Sequence, residues 1–245
     1  MLKKYRPCRV MLLLFAMLIG LNTTNAQDDK FGAQLLLGWN YGFYTTGLSN
    51  LSTRLYEYND KRNGNFSYKN NGTGFLWGGR WEFGGKKYKL FGDMIWSNMH
   101  RQFKGTAQDA NGNMIDIIYK PRLNTLMFDI GFSLHGVGIG FGLGPGCFTV
   151  SDKRSVYGST SIKDADWANP PDLGKPLKIL GSDRFMFNVF LQADIWIFMF
   201  RAGYMGDSGK NNLANDQTQM NYYFNTNNFY FNTAIRIGKR AEGNK

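Results

Sequence analysis

The chain has 245 residues, with 29 Lys and Arg against 18 Asp and Glu for a formal charge of +11, and 16% of its residues are aromatic. Glycine is abundant (30) and proline scarce (6), and beyond the first 26 residues no apolar run approaches the ~20 residues that a membrane-crossing helix needs. These figures exclude a helical membrane protein and leave an all-β chain, either a soluble sandwich or a barrel.

The first element to be read is a targeting segment. Lys3, Lys4, Arg6 and Arg9 precede an apolar run from Val10 to Leu21, and NTTNA follows before Gln27. That is the pattern of a secretory signal peptide over residues 1–26, cleaved after Ala26, with residues 27–245 forming one domain. Cys8 lies ahead of the apolar run, so no lipidation box forms. Cleavage removes four of the 29 basic residues and none of the 18 acidic ones, leaving a net charge of about +7 and one cysteine, Cys147. No internal disulfide can then form. An exported basic chain without a Lys/Arg-rich run is expected to meet anionic lipid headgroups or surface polysaccharide, not nucleic acid.

From Phe31 to Thr46 the chain alternates with period two. Phe31, Ala33, Leu35, Leu37, Trp39, Tyr41 and Phe43 share one face, and Gly32, Gln34, Leu36, Gly38, Asn40 and Gly42 the other. This is longer than an ordinary strand and suits a tilted membrane strand whose outward row ends in an aromatic girdle. Residues 47 to 72 are polar and break the alternation; within them Leu48, Leu51, Leu55 and Tyr58 recur at helical spacing after Ser49 and Asn50, predicting a long outer loop with a short helix.

Period two returns over 73–84, with Phe75, Trp77, Trp81 and Phe83 outward and Leu76, Gly78, Arg80 and Glu82 inward. After a short turn at 84–87, the strand from Tyr88 to Phe103 places Leu90, Met94 and Trp96 opposite Lys89, Asp93, Ser97 and Arg101, although Phe91, Ile95 and Met99 share the polar row. A loop is predicted at 105–115, marked by Asn111-Gly112. Residues 116–134 put Leu126, Phe128, Ile130, Phe132 and Leu134 outward over Thr125, Met127, Asp129, Gly131 and Ser133.

A tight turn at His135 and Gly136 leads into GVGIGFGLGPG, where every second residue is glycine. G-x-G-x-x-G fails in every register, because the third glycine is replaced by Phe141, Leu143 or Pro145, so a phosphate loop is rejected. The segment reads as a barrel strand with an apolar outer face and a bare inner one, making room for arginine and tyrosine side chains, with Pro145 at the outer rim or at a bulge. Residues 151–183 show no period and predict a second long outer loop. The pair 184–193 and 195–206, joined at Asp194, faces Phe185, Phe187, Val189, Leu191, Phe198, Phe200, Ala202 and Tyr204 outward over Asn188, Gln192, Met199, Arg201 and Gly203. A polar loop at 207–225 precedes the last strand, with Phe229, Phe231, Ile235 and Ile237 out and Tyr230, Asn232, Ala234 and Arg236 in.

The sum is an all-β, eight-stranded, antiparallel up-and-down transmembrane β-barrel with long extracellular loops, its short turns and both termini on the periplasmic side. The inward rows bring together Arg80, Lys89, Arg201 and Arg236 with Glu82, Asp93 and Asp129, and Gln192 lies among them. An eight-stranded interior is just wide enough for side chains to fill, so these charges are expected to pair as a plug, with a narrow pore as the other reading. A lipid-modifying enzyme would need a histidine near the outer rim. His100 is at that level, but its parity is opposite to that of Ser97. His135 falls in a periplasmic turn. Asp164 and Asp166 do not continue into a calcium-loop pattern, so no cofactor or metal is expected.

Over roughly residues 31 to 240 the chain resembles the small eight-stranded outer-membrane barrels of OmpA/OmpX-like architecture, in its strand count, turn and loop alternation, aromatic placement and TNA|Q processing site. Its signal style and Asn/Tyr/Gly-rich strands are also similar to the PorT and PorG-like barrels accessory to type IX secretion. The resemblance implies a non-enzymatic barrel in contact with outer-membrane lipid or lipopolysaccharide and with other envelope or secretion proteins. Leu51, Leu55, Tyr58 and Trp167 are the loop residues expected to bind.

Overall fold

The computed structural model describes residues 30–44, 56, 59–60, 63–67, 69, 71–108, 112–156, 179–207, 212–214, 221–223 and 226–241. The predicted signal peptide, Leu51, Leu55, Tyr58, Asp164, Asp166 and Trp167 lie outside the described residues. The strands are β1 Phe31–Tyr44, β2 Asn71–Gly84, β3 Tyr88–His100, β4 Phe103–Gln108, β5 Met114–Leu134, β6 Val137–Val156, β7 Ile179–Ile195, β8 Phe198–Asp207, β9 Asn212–Ala214, β10 Asn221–Tyr223 and β11 Asn228–Lys239.

The main sheet runs β3-β2-β1-β11-β8-β7-β6-β5-β4, and β3 also pairs with β5, which closes the ring. Every pairing is antiparallel. β4 continues β3: the pairs His100–Arg122 and Phe103–Tyr119 keep one register along β5. The interruption has a local cause. Arg101 N donates to Pro121 O at 3.1 Å, and proline has no N–H to return. The barrel is therefore eight-stranded (β1, β2, β3 with β4, β5, β6, β7, β8, β11), with β9 and β10 forming a separate small hairpin.

The pleat sorts the residues as the alternation predicts. Trp39, Phe75, Ile130, Ile139, Phe141, Leu191 and Phe229 stand exposed on the outer wall, while Leu36, Leu76, Arg80, Asp93, Asp129 and Arg201 are buried inside. The mixed row of β3 turns inward as a whole, so Phe91, Ile95 and Met99 are interior packing beside Asp93 and Ser97. A continuous exposed apolar wall of this size is a lipid-facing surface. Aromatic pairs mark both its ends: Trp39 with Phe75 and Tyr204 with Phe229 toward the long connections, Phe31 with Phe83 and Tyr88 with Phe132 toward the short turns. Among the described residues no helix is long and apolar enough to cross a membrane.

Five expectations are corrected. The β7–β8 turn is Trp196–Ile197, not Asp194, which pairs with Met199; Trp196 takes the left-handed conformation (φ 53°). β6 extends to Val156 and β7 begins at Ile179, so part of the presumed loop at 151–183 is strand. The 105–115 segment is the end of the β4–β5 hairpin, and 207–225 contains β9 and β10. Pro145 lies within β6, paired with Phe185. Pairing with β5 holds at Thr125–Gly146 and resumes at Phe128–Leu143, so the ladder is interrupted opposite the proline. The bulge lies a few residues on, between Phe148 and Val150.

Candidate functional site: the charged lumen

Opposite-facing positions on β2, β3, β5, β7, β8 and β11 converge in the half of the lumen nearest the short turns. The Arg80 side chain is fully buried. It grips Asp93 with two parallel bonds, Nε to Oδ1 at 2.7 Å and Nη2 to Oδ2 at 2.8 Å, the bidentate geometry that a guanidinium favours. Its Nη2 also donates to Gln192 Oε1 at 2.7 Å and its Nη1 lies 3.2 Å from Asp194 Oδ2. Arg201 approaches from the other side, bonding to Asp93 Oδ2, to Asp129 Oδ2 at 2.5 Å and to Gln192 Oε1 at 2.8 Å. Asn188 Nδ2 donates to the remaining Asp129 oxygen at 3.1 Å. Both guanidinium groups lie over aromatic rings, Arg80 at 4.5 Å from the Phe91 centroid and Arg201 at 3.7 Å from Phe190, a further attraction for a desolvated cation.

Toward the mouth, Arg236 Nη1 is 3.1 Å from Asp194 Oδ2 and 3.6 Å from Glu82 Oε1, and its Nη2 donates to Trp196 O at 2.5 Å. Lys89 Nζ reaches Glu82 Oε2 at 3.0 Å. Four cations (Arg80, Lys89, Arg201, Arg236) thus face four anions (Glu82, Asp93, Asp129, Asp194) in one connected set. Charge balance is what makes such a set tolerable, since an uncompensated buried charge costs several kcal/mol.

The glycine strand contributes space. A methyl group built on Gly142 would overlap the Asp129 carboxylate and lie 2.7 Å from Asn188 Oδ1, and one on Gly140 would lie 2.8 Å from Ile130 O and strike the Phe190 ring. The bare face accommodates Phe190, Asn188 and Asp129 directly, and Arg201 only through its stacking on Phe190. The tyrosine reaching toward a glycine does so at Gly203, where a methyl group would lie 2.9 Å from Tyr230 Cζ.

The structure brings together all eight lumen residues expected from the sequence and adds Asp194, which the misplaced turn had hidden. Parity alone would have found it. Asp194 is two residues from inward-facing Gln192, and four cations against three anions already called for a fourth carboxylate. A second buried pair, Arg184 with Asp207, was missed as well. It sits toward the long connections, where Thr226 Oγ1 donates to Asp207 Oδ2 at 2.7 Å. At the same end, Asn59 clamps the backbone of Phe66 with two 2.7 Å bonds, and Phe66 packs over Gly105 of β4.

His100 Nδ1 is 3.1 Å from Asn98 Oδ1, whereas Ser97 points inward and bonds to Thr125 Oγ1 at 2.7 Å. The two do not meet, so a Ser97–His100 nucleophile and base pair does not form. Among the described residues no three His, Cys, Asp or Glu side chains gather as a metal site.

No protein-family model matches the chain, and no curated protein matches it in sequence. Solved structures similar to it include Ail, the attachment invasion locus protein of Yersinia pestis. In complex with the heparin analogue sucrose octasulfate, Ail gives a TM-score of 0.42 at 13% identity, over 85% of this chain and 99% of that one. A second Ail structure gives 0.39 at 11% identity with the same coverage.

Proposed function

We propose that this chain is a non-enzymatic outer-membrane barrel whose lumen is plugged by its own charges and whose work is done at the long-loop end. The observation that carries this reading is the neutral, interlocked set around Arg80, Asp93 and Arg201. A lumen filled by paired charged side chains is closed to a solute: its charges are committed to one another, while neutral groups such as Asn40, Tyr230 and Asn232 keep buried polar atoms without a hydrogen-bond partner among the described residues. The lipid-facing wall, the aromatic pairs at both its ends and the short-turn and long-loop alternation support the bacterial outer membrane as its place, with the short turns and both termini in the periplasm and residues 1–26 as the cleaved export signal.

The connections between β1 and β2, at 45–70, and between β6 and β7, at 157–178, are then the binding surfaces, and Leu51, Leu55, Tyr58 and Trp167 the residues to mutate first. Their partner is an envelope component, either lipopolysaccharide or another envelope or secretion protein. A place beside the type IX secretion machinery is the specific form of this proposal. Co-purification in mild detergent tests it: a partner retained by the intact barrel and lost when both connections are shortened supports the reading, and unchanged retention would remove it.

A further inference from the structure

The short-turn mouth carries charge that the lumen set does not use. A pocket of about 330 Å³ opens there, lined by Lys86, Lys89, Ser133, His135, Asp194 and Arg240 among others. Around it, Lys30, Lys86, Lys87 and Lys239 are exposed and Arg240 is half-buried, while among the described residues this rim has no exposed carboxylate. Its two acids face inward and are engaged: Glu82 by Lys89, and Asp194 by Arg80 and Arg236. Lys86 and Arg240 have no ion-pair partner among the described residues. Arg240 is held in place by the closing segment, since the next residue, Ala241, is buried and its N–H lies 3.4 Å from Glu82 Oε2. Beside the pocket, Trp196 is 82% exposed between exposed Ile195 and Ile197. A tryptophan so flanked belongs at headgroup depth.

We infer that this pocket is a binding site for the phosphate of an anionic lipid headgroup in the leaflet at the short-turn end. Lys86 and Arg240 hold the phosphate, Ser133 supplies a neutral donor, and the acyl chains lie along Val137, Ile195 and Ile197. A guanidinium and an ammonium converging on one concavity with no competing free carboxylate is the arrangement that captures a phosphoryl group. The Asp194 side chain, which also faces the pocket, is neutralised from within by the lumen arginines. This inference rests on the membrane placement proposed above.

The test uses the purified full barrel in detergent, supplied with phosphatidylglycerol or phosphatidylcholine, with retained lipid counted by native mass spectrometry. Phosphatidylglycerol should be retained in preference. The preference should fall about 25-fold in K86Q/R240Q, from roughly fivefold per basic residue at a membrane surface. It should survive in K69Q/K104Q, which alters the opposite end. Equal retention of the two lipids, or equal loss in both variants, would overturn the site. If inorganic phosphate binds at Lys86 and Arg240 while neither lipid is preferred, the ligand is free phosphate and the lipid assignment falls. Boiled and unboiled samples that migrate identically on detergent gels would sink the membrane placement itself, and the lipid site with it.

Discussion

In the half of the lumen nearest the short turns, Arg80 and Arg201 interlock with Asp93, Asp129 and Gln192, whereas in the half nearest the long connections Met99, Leu123, Phe148 and Met186 form a largely apolar packing around the buried pair Arg184 and Asp207. Both halves are buried, and both are walled by the same eight strands. They differ in what a substitution does. The apolar half is governed by volume, so a truncation leaves a cavity whose cost depends on local collapse. The ionic half is governed by charge count, so losing one member strands another without water. A barrel can therefore be held by packing at one end and sealed by pairing at the other.

The largest effect that would break this comparison is expected at Asp93, which both lumen arginines share. Asp93→Asn should destabilise the barrel by about 3–5 kcal/mol, read from urea unfolding in lipid vesicles; a loss under ~1 kcal/mol would mean that the charges are not closely coupled. Met186→Ala in the apolar half should cost toward the lower end of ~2–5 kcal/mol and leave the barrel electrically silent, so new conductance there would erase the distinction between the halves. On the glycine wall, Gly142→Val should cost about 1–3 kcal/mol by overpacking against Asp129 and Asn188, while Ile139→Leu on the outer face of the same strand should stay under ~1.5 kcal/mol. Equal effects from both would show that the inner face is not crowded. The smallest effect should come from Asn59→Ala, which removes the two bonds clamping Phe66 at about 1 kcal/mol. It should raise amide exchange around residues 63–67 and 103–108 while leaving the ionic half unchanged.

How much of this was legible in the sequence depended on where lipid imposes a pattern. Along β1, β2, β5 and the glycine segment, one face must be apolar and the other must fit the lumen, and period two therefore gave the faces correctly, Arg80 and Asp129 included. Beyond Val150 the row SDKRSV has no apolar side, so period two gives no sign of the strand that continues there. The β7–β8 turn was misplaced because Trp196 and Ile197 look like strand residues; they are apolar for the membrane surface, not for a ladder. That error removed Asp194 from the site. The pair Arg184 and Asp207 escaped because each sits where a strand passes from alternation into a polar connection, so neither looked like an interior residue. Where two apolar clusters fill the space between charges, as Phe91 and Ile95 do on β3, hydrophobicity alone could not tell inside from outside; the charged neighbours on the same row, Lys89 and Asp93, did.

The central claim is that paired charges seal the lumen, and planar-bilayer recording tests it most directly. The intact barrel should show no discrete current steps, and Asp93→Asn or Arg201→Ser should introduce them by loosening the set around Gln192. Stable, discrete conductance from the unaltered barrel would contradict the account.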